Sequence, residues 1–519
     1  MTTLAHWARE QGGKSALFFP GSSRRLSFSE LSQSAESIAK WMVAAGLQPG
    51  EVIAFLLENR SELVELAWGA RRAGLYYTPL STHLKPREIG HVLKDCGARV
   101  LVTSPQMAEL AATVIHTYAP AGLRCLVLDR PAQGFEHFEP AVQAATAASA
   151  ALPPRPIGRD FLYSSGTTGL PRGIRKPMVP HERRFELDRE VDVWRDTFGF
   201  GPDSVYFSPA PLYHAAPLRY VMRTIEVGGS CVVLEKFDAE QTLATLEACG
   251  VTHSQWVPTM FQRLLDLPLE IRKKYDLRHM RVAIHAAAPC PPQVKRAMIE
   301  WWGPILAEYY AGSEGIGLTT IDSTEWLAHP GSVGRAKLGA LHIVDEAGAE
   351  LGSGEVGRVY FSGGPRFEYF NEPAKTLEAF NDKGWATYGD LGHLDAEGYL
   401  YLSDRRADLI ISGGVNVYPN EVENVLRTHP WVADAAVIGV PSRDLGEEVK
   451  AVVQLRDTAD AGDEAARTLI AFCRDHLSNI KVPKSVAFEA SLPRLDSGKL
   501  LRRALKEKYR TVDQASRPE

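Results

Sequence analysis

The chain has 519 residues, room for two or three domains, since single hydrophobic cores stop growing near roughly 250 to 300 residues. Apolar residues make up 45% and charged residues 23%, ordinary globular proportions that exclude a mostly disordered or fibrous chain. The net charge of -5 gives no basic field for nucleic acid, and six cysteines without a C-x-x-C pair suggest neither a disulfide framework nor a structural zinc site. Met1 to Gly12 carries His6, Arg9 and Glu10 in place of an apolar leader, and no later run reaches the roughly 18 apolar residues of a membrane span. The expectation is a cytoplasmic protein with reduced thiols and no integral membrane association.

Along the first four hundred residues, short apolar runs alternate with helical patterns. Val52 to Leu56 reads as a strand, Glu62 to Ala73 as a helix with one apolar face, and Arg99 to Thr103 as the next strand. Cys231 to Leu234, Ala239 to Cys249 and Val251 to His253 repeat that theme, which indicates α/β layering. Near residue 388 the character changes. Ala396-Glu397-Gly398 sits between two strand-like runs as a hairpin turn whose glycine suits positive φ. A polar connector, Ser403 to Asp408, follows, and then a helix from Pro419 to about Thr428 with Val422, Val425 and Leu426 on one face. The expected division is residues 1–404 and a smaller α+β unit, residues 405–519.

Chemistry-bearing segments occur in the same order. Ser164 to Gly173 holds four hydroxyls and three glycines in ten residues, an arrangement suited to wrapping a polyphosphate with O–H and unshielded N–H donors. It is not a Walker A loop, because Pro171, Arg172 and Gly173 stand where Gly-Lys-Ser/Thr would be required. A solvated linker is the rival reading. Glu308 to Gly315 packs Tyr310, Ser313 and Glu314 together: a ring to stack on a base, a hydroxyl for phosphate, and a carboxylate for Mg²⁺. Core tyrosines and surface polarity would read the same way. Asp390, after Tyr388-Gly389, could accept hydrogen bonds from ribose hydroxyls or simply hold a turn. Arg405 could clamp a phosphate or ribose, or form an interdomain salt bridge. Ser412-Gly413-Gly414 would let a slender ligand run close to the backbone, or serve as a turn before the helix. Lys499, on the loop Leu492 to Lys499, could neutralise charge growing on a transferring phosphoryl group, although most such lysines are merely solvated.

Taken together, the segments resemble the adenylate-forming superfamily, which includes acyl-CoA synthetases, nonribosomal adenylation domains and firefly-type luciferases. The resemblance spans nearly the whole chain and keeps the order of the hydroxyl/glycine loop, a Y-G-x-T-E-like segment, Y-G-D, a D-R-x-x-D connector and a terminal G-K. It implies that Ser165, Thr167, Thr168 and Arg172 bind ATP, that Tyr310 packs on adenine, and that Ser313 touches phosphate. It further implies that Glu314 ligates Mg²⁺, Asp390 holds ribose, Arg405 contacts the nucleotide, and Lys499 serves adenylation. Thr168, Glu314 and Lys499 are the expected catalytic set. His214 matches a histidine lining the acyl site, though a core histidine is a live alternative. Trp256 and Ala287 are expected to complete that site, and Ser412, Gly413 and Gly414 the coenzyme A face.

Three positions depart from the pattern: Arg172 replaces a lysine, Ala311 a glycine, and Ala407 the lysine or aspartate regarded as a hinge. The implied reaction is attack of a carboxylate on the α-phosphorus of ATP, release of pyrophosphate, and transfer of the acyl group to a thiol with release of AMP. Rotation of the mobile small domain would separate the two steps. Ile410 to Pro419 resembles bacterial fatty acyl- and aryl-CoA ligases, so coenzyme A is the expected acceptor. Loading of a carrier-protein pantetheine and a catalytically idle nucleotide-binding protein are the alternatives. The alanines near Ala287, set against Trp256, favour a medium-to-long aliphatic, aryl or alicyclic acid. A monomer or homodimer with small-molecule partners is expected.

Overall fold

The apolar runs read as strands are buried on both faces, which calls for a sheet covered by helices on either side. The computed structural model describes residues 3–148, 151–164, 171–183, 189–405, 408–412, 415–442, 445–456, 461–494 and 500–515. Its largest sheet has nine strands, in the order Arg335–Leu338, Leu318–Asp322, Leu306–Tyr310, Val282–His285, His253–Trp256, Val205–Ser208, Ser230–Val233, Ser15–Phe19 and Arg24–Ser27. The middle strands are parallel and the edges antiparallel. A parallel five-stranded sheet, with Val52–Leu56 between Tyr76–Pro79 and Ala98–Thr103, lies earlier in the chain. One hydrophobic core contains Ile53 and Phe55 from this sheet, Tyr206 and Val233 from the larger one, and buried faces of the helices Phe28–Ala44 and Ser61–Ala73. Ser27 caps the first of these helices in a reciprocal box with Glu30.

Two smaller sheets carry the middle of the chain. Three strands, Glu368–Tyr369, Arg172–Arg175 and Leu162–Ser164, form one; four antiparallel strands, Ala340–Val344, Gly357–Ser362, Asp390–Leu394 and Leu400–Arg405, form the other. The expected hairpin is present, with Gly398 at φ +80° in the turn. The polar connector begins differently from its expected form: Ser403, Asp404 and Arg405 continue the strand Leu400–Arg405, with Arg405 opposite Asp390. Backbone pairing to Asp390–Leu394 outweighs the polarity of these side chains. The strand expected at Val251 to His253 runs instead over His253–Trp256, because Val251 and Thr252 close the turn after the helix Ala239–Ala248.

Beyond residue 408, a fifth sheet orders Val415–Val417, Ile410–Ser412, Gly446–Leu455 and Val432–Ser442, with Ser485–Phe488 parallel to the third of these. The helix Pro419–Arg427 starts on a proline and buries Val422 and Leu426, as its spacing predicts. This smaller unit has its own core, built around Ile410, Val437, Val449 and Leu469. The architecture is therefore mixed α/β, a large sheet-and-helix domain followed by a smaller C-terminal domain.

Candidate functional site

Strand alternation sends Tyr309 and Tyr310 to opposite faces of Leu306–Tyr310. Tyr310 meets the four-stranded sheet. Its ring lies edge-on to Tyr388 with 5.5 Å between centroids, and its hydroxyl donates to Oδ2 of Asp390 at 2.6 Å. Asp390 is only 7% exposed and begins its strand. Gly312 is required beside this pair, because a Cβ there would lie 2.4 Å from the Tyr388 ring. The two aromatic and acidic residues expected at adenine and ribose are thus in direct contact, although 80 residues separate them.

The loop that follows carries Ser313 and Glu314. Oε1 of Glu314 accepts a hydrogen bond from the Tyr369 hydroxyl at 2.8 Å. Burial, and next the Glu314 carboxylate, raise the Tyr369 phenol above its ordinary value, so it remains a protonated donor. Over the same ring, 4.7 Å from its centroid, sits the guanidinium of Arg172, with Nε 3.3 Å from the Glu372 carboxylate. Tyr369 and Ile174 are partners in the three-stranded sheet, which places Arg172 beside the tyrosine whose hydroxyl also reaches Glu314. Among the described residues no group of three or more His, Cys, Asp and Glu side chains is assembled to hold a metal ion. A lone carboxylate such as Glu314 fits Mg²⁺, which commonly takes one or two protein carboxylates and completes its shell with water and substrate phosphate.

His214 stands at the N-cap position of the helix Ala215–Glu226 and is half-buried, its ring edge-on to Tyr213 at 4.7 Å. Ala287 is exposed at the end of Val282–His285, with φ +75°, uncommon for a residue bearing a side chain. Trp256 does not sit as the expected wall. It is 1% exposed, packs in the core against Phe207, Phe261 and Trp302, and donates its indole N–H to Ser254 at 2.7 Å. Its alternation within His253–Trp256 points it into the core lined by Pro258–Leu265 and Pro292–Trp302. Ser412 is buried in its strand, three positions before Val415, the start of the strand Val415–Val417 that leads to the helix. Ser165, Thr167, Thr168, Ala407, Gly413, Gly414 and Lys499 lie outside the described residues, as does the Arg405 side chain.

Sequence reading missed Tyr369 and a set of buried charges behind Ser313. Arg219 holds Asp160 through Nε at 2.9 Å and Nη2 at 2.7 Å. Its two terminal nitrogens also donate to the Ser313 carbonyl, each at 3.2 Å. Burial alone would raise the Asp160 carboxyl, but Arg219 first, then Arg159 and Lys176, bring it to about 2. Beside them, Lys176 donates to Glu190 at 2.7 Å, and Glu190 accepts from Arg223 at 3.2 Å. These residues are scattered singly over sixty positions, and no local pattern marks them as a group. Tyr369 could have been noticed in the aromatic run Phe367 to Phe370 beside Glu368, which is a weak signal.

The model for AMP-binding enzymes matches residues 4–366, and that for the AMP-binding enzyme C-terminal domain matches residues 421–499. The chain belongs to the AMP-binding enzyme family. It is 32% identical to a feruloyl-CoA synthase from Amycolatopsis sp, across 93% of this chain and 94% of that one. It is 30% identical to the long-chain-fatty-acid–CoA ligase FadD13 of Mycobacterium tuberculosis, across 94% of each chain. The ATP-bound crystal structure of MatB from Rhodopseudomonas palustris superimposes with a TM-score of 0.80 at 29% identity, covering 98% of this chain and 99% of that one. Family membership and these relatives support one activity class, ATP-dependent ligation of a carboxylic acid to coenzyme A in an AMP-forming reaction.

Proposed function

We propose that this AMP-binding enzyme grips ATP between Tyr310, Asp390, Ser313 and Arg172, activates an apolar carboxylic acid as its acyl-adenylate, and passes the acyl group to coenzyme A. The observation that carries the reading is the Tyr310–Asp390 hydrogen bond of 2.6 Å, which joins a stacking ring to a ribose acceptor. Feruloyl-CoA synthase and FadD13 are named for an aryl and a fatty acid, and the acid here belongs to the fatty, aryl or alicyclic group. His214 and Ala287 border its site, and Trp256 has no part in it. The pantetheine is assigned to the small unit, residues 405–519, along the segment Ser412, Gly413 and Gly414.

A carboxylate is a poor electrophile, because attack on it adds charge to an anion. Adenylation removes that obstacle: a carboxylate oxygen bonds to the α-phosphorus of ATP as the bond to pyrophosphate breaks. Lys499, Arg172 and the hydroxyls of Ser165, Thr167, Thr168 and Ser313 offset the negative charge that grows on phosphate oxygens. Mg²⁺, held by Glu314, would supply further charge neutralisation there. The thiolate of coenzyme A then attacks the acyl carbon and AMP leaves.

Pyrophosphate release measured across acetate, octanoate, palmitate, benzoate, ferulate and a steroid side-chain acid tests the reading. Release only with octanoate or larger acids supports it; acetate as the best acid, or no acid-dependent release, defeats it. Mass spectrometry of products with coenzyme A, and separately with a carrier protein, identifies the acceptor. Lys499→Ala should abolish acyl-adenylate formation while largely sparing thioester formation from supplied acyl-adenylate.

A further inference from the structure

The charges behind Ser313 are costly to bury and stand apart from the residues that would touch ATP. An uncompensated buried ion loses several kcal/mol of hydration, so each needs a partner. Arg219 spends its donors on two acceptors, the Asp160 carboxylate and the Ser313 carbonyl. Lys176 and Glu190 flank the same loop. At Gly315, which has φ +70°, an added Cβ would stand 2.3 Å from Lys176 Nζ and 2.9 Å from Glu190 Oε1. The backbone of residues 313–315 therefore rests on two ion pairs. Asp160 leads into the strand Leu162–Ser164 that feeds the phosphate loop, and Arg219 lies on the helix Ala215–Glu226.

We propose that Arg219 is a positioning residue of the adenylation step, fixing the Ser313 backbone and with it the Ser313 hydroxyl and the Glu314 carboxylate. The inference rests on the reading that these two groups serve ATP. The guanidinium suits the task because its planar fork holds a carboxylate and a carbonyl in one fixed geometry, whereas an ammonium on a flexible stem fixes neither direction. Misplacement of a reacting group by about 1 Å costs on the order of 10²-fold in rate.

The test compares wild type, Arg219→Gln, Arg219→Lys, Asp160→Asn and Glu314→Gln, using whichever acid of the panel turns over fastest. Three quantities are measured: acid-dependent ATP–pyrophosphate exchange, thioester formation from supplied acyl-adenylate, and the thermal midpoint. Arg219→Gln is expected to lose about 10²-fold in exchange kcat, with thioester formation little changed. Arg219→Lys should recover part of that loss, and Asp160→Asn should resemble Arg219→Gln more weakly. Unchanged exchange, or equal loss in both half-reactions, overturns the proposal. If Arg219→Gln does not fold, Arg219→Lys and Asp160→Asn are judged by the same split. Glu314→Gln separates the two levels: normal exchange in that variant defeats the reading of the site itself, whereas impaired exchange there with normal exchange in the Arg219 variants defeats only the positioning role.

Discussion

Tyr369 donates its hydroxyl proton to Glu314 across 2.8 Å while its ring lies 4.7 Å beneath the Arg172 guanidinium. One side chain thus holds the carboxylate proposed to bind Mg²⁺ and steadies the arginine that stands in place of the usual lysine. Tyr369→Phe keeps the ring and removes the donor. A hydrogen bond to a charged group is worth about 1.5 to 3 kcal/mol, so the apparent Mg²⁺ requirement for pyrophosphate exchange should rise about tenfold or more. Thioester formation from supplied acyl-adenylate should change little. A normal Mg²⁺ titration would show that the bond orders nothing of use.

Arg172→Lys tests the opposite side of the same ring. Lysine retains the charge but gives up the planar stacking and the contact with Glu372. A cation–π contact in a desolvated setting is worth about 1 to 2 kcal/mol, so kcat/KM for ATP should fall by about 5- to 30-fold. Arg172→Ala should lose more. Full activity in the lysine variant would mean that only the charge matters.

Tyr310→Phe preserves the ring proposed to pack on adenine and deletes the hydroxyl that donates to Asp390. With Asp390 nearly buried, losing that donor should raise the KM for ATP about tenfold through misplacement of the proposed ribose acceptor. Steady-state titration of ATP at saturating acid checks this. A change in kcat with unaltered KM would argue against a role in nucleotide binding.

Stability should fall on mild acidification. Burial holds the His253 imidazole at about 4, against an ordinary value of 6.5, with its ring nitrogens facing Thr252 and the Phe198 carbonyl. Below pH 6.5 the unfolded chain takes up a proton that native His253 refuses until about pH 4, so the stabilisation is complete above pH 6.5 and lost on descent. The loss amounts to about 3 kcal/mol at 1.36 kcal/mol per pH unit. Burial, and next Lys295, push the His285 imidazole in the same direction. Denaturant midpoints taken between pH 6.5 and pH 4 should therefore fall, less steeply for His253→Asn; a flat wild-type profile would refute the account.

What the sequence made legible was periodic or clustered. Val52–Leu56, the hairpin at Gly398 and the proline-led helix at Pro419 follow from alternation, turn chemistry and a one-sided apolar face. Tyr310, Ser313 and Glu314 stood out because they are crowded into five residues. Trp256, expected as a wall of the acyl site, lies in the core, because the four-residue run His253–Trp256 is buried throughout and carries no alternation that would show which way each side chain faces. Tyr369, Arg219 and Asp160 stayed hidden for another reason: their partners lie 55, 94 and 59 residues away, joined only when the strands pair and the helix docks.

The distribution of the proposed nucleotide contacts has a mechanical consequence. Asp390 belongs to the four-stranded sheet, Tyr310 to the nine-stranded one and Arg172 to the three-stranded one, so a bound ATP would touch three sheets at once. Nucleotide binding should then add a tie common to all three sheets, beyond the packing and backbone bonds that already join them, and release of AMP would remove that tie.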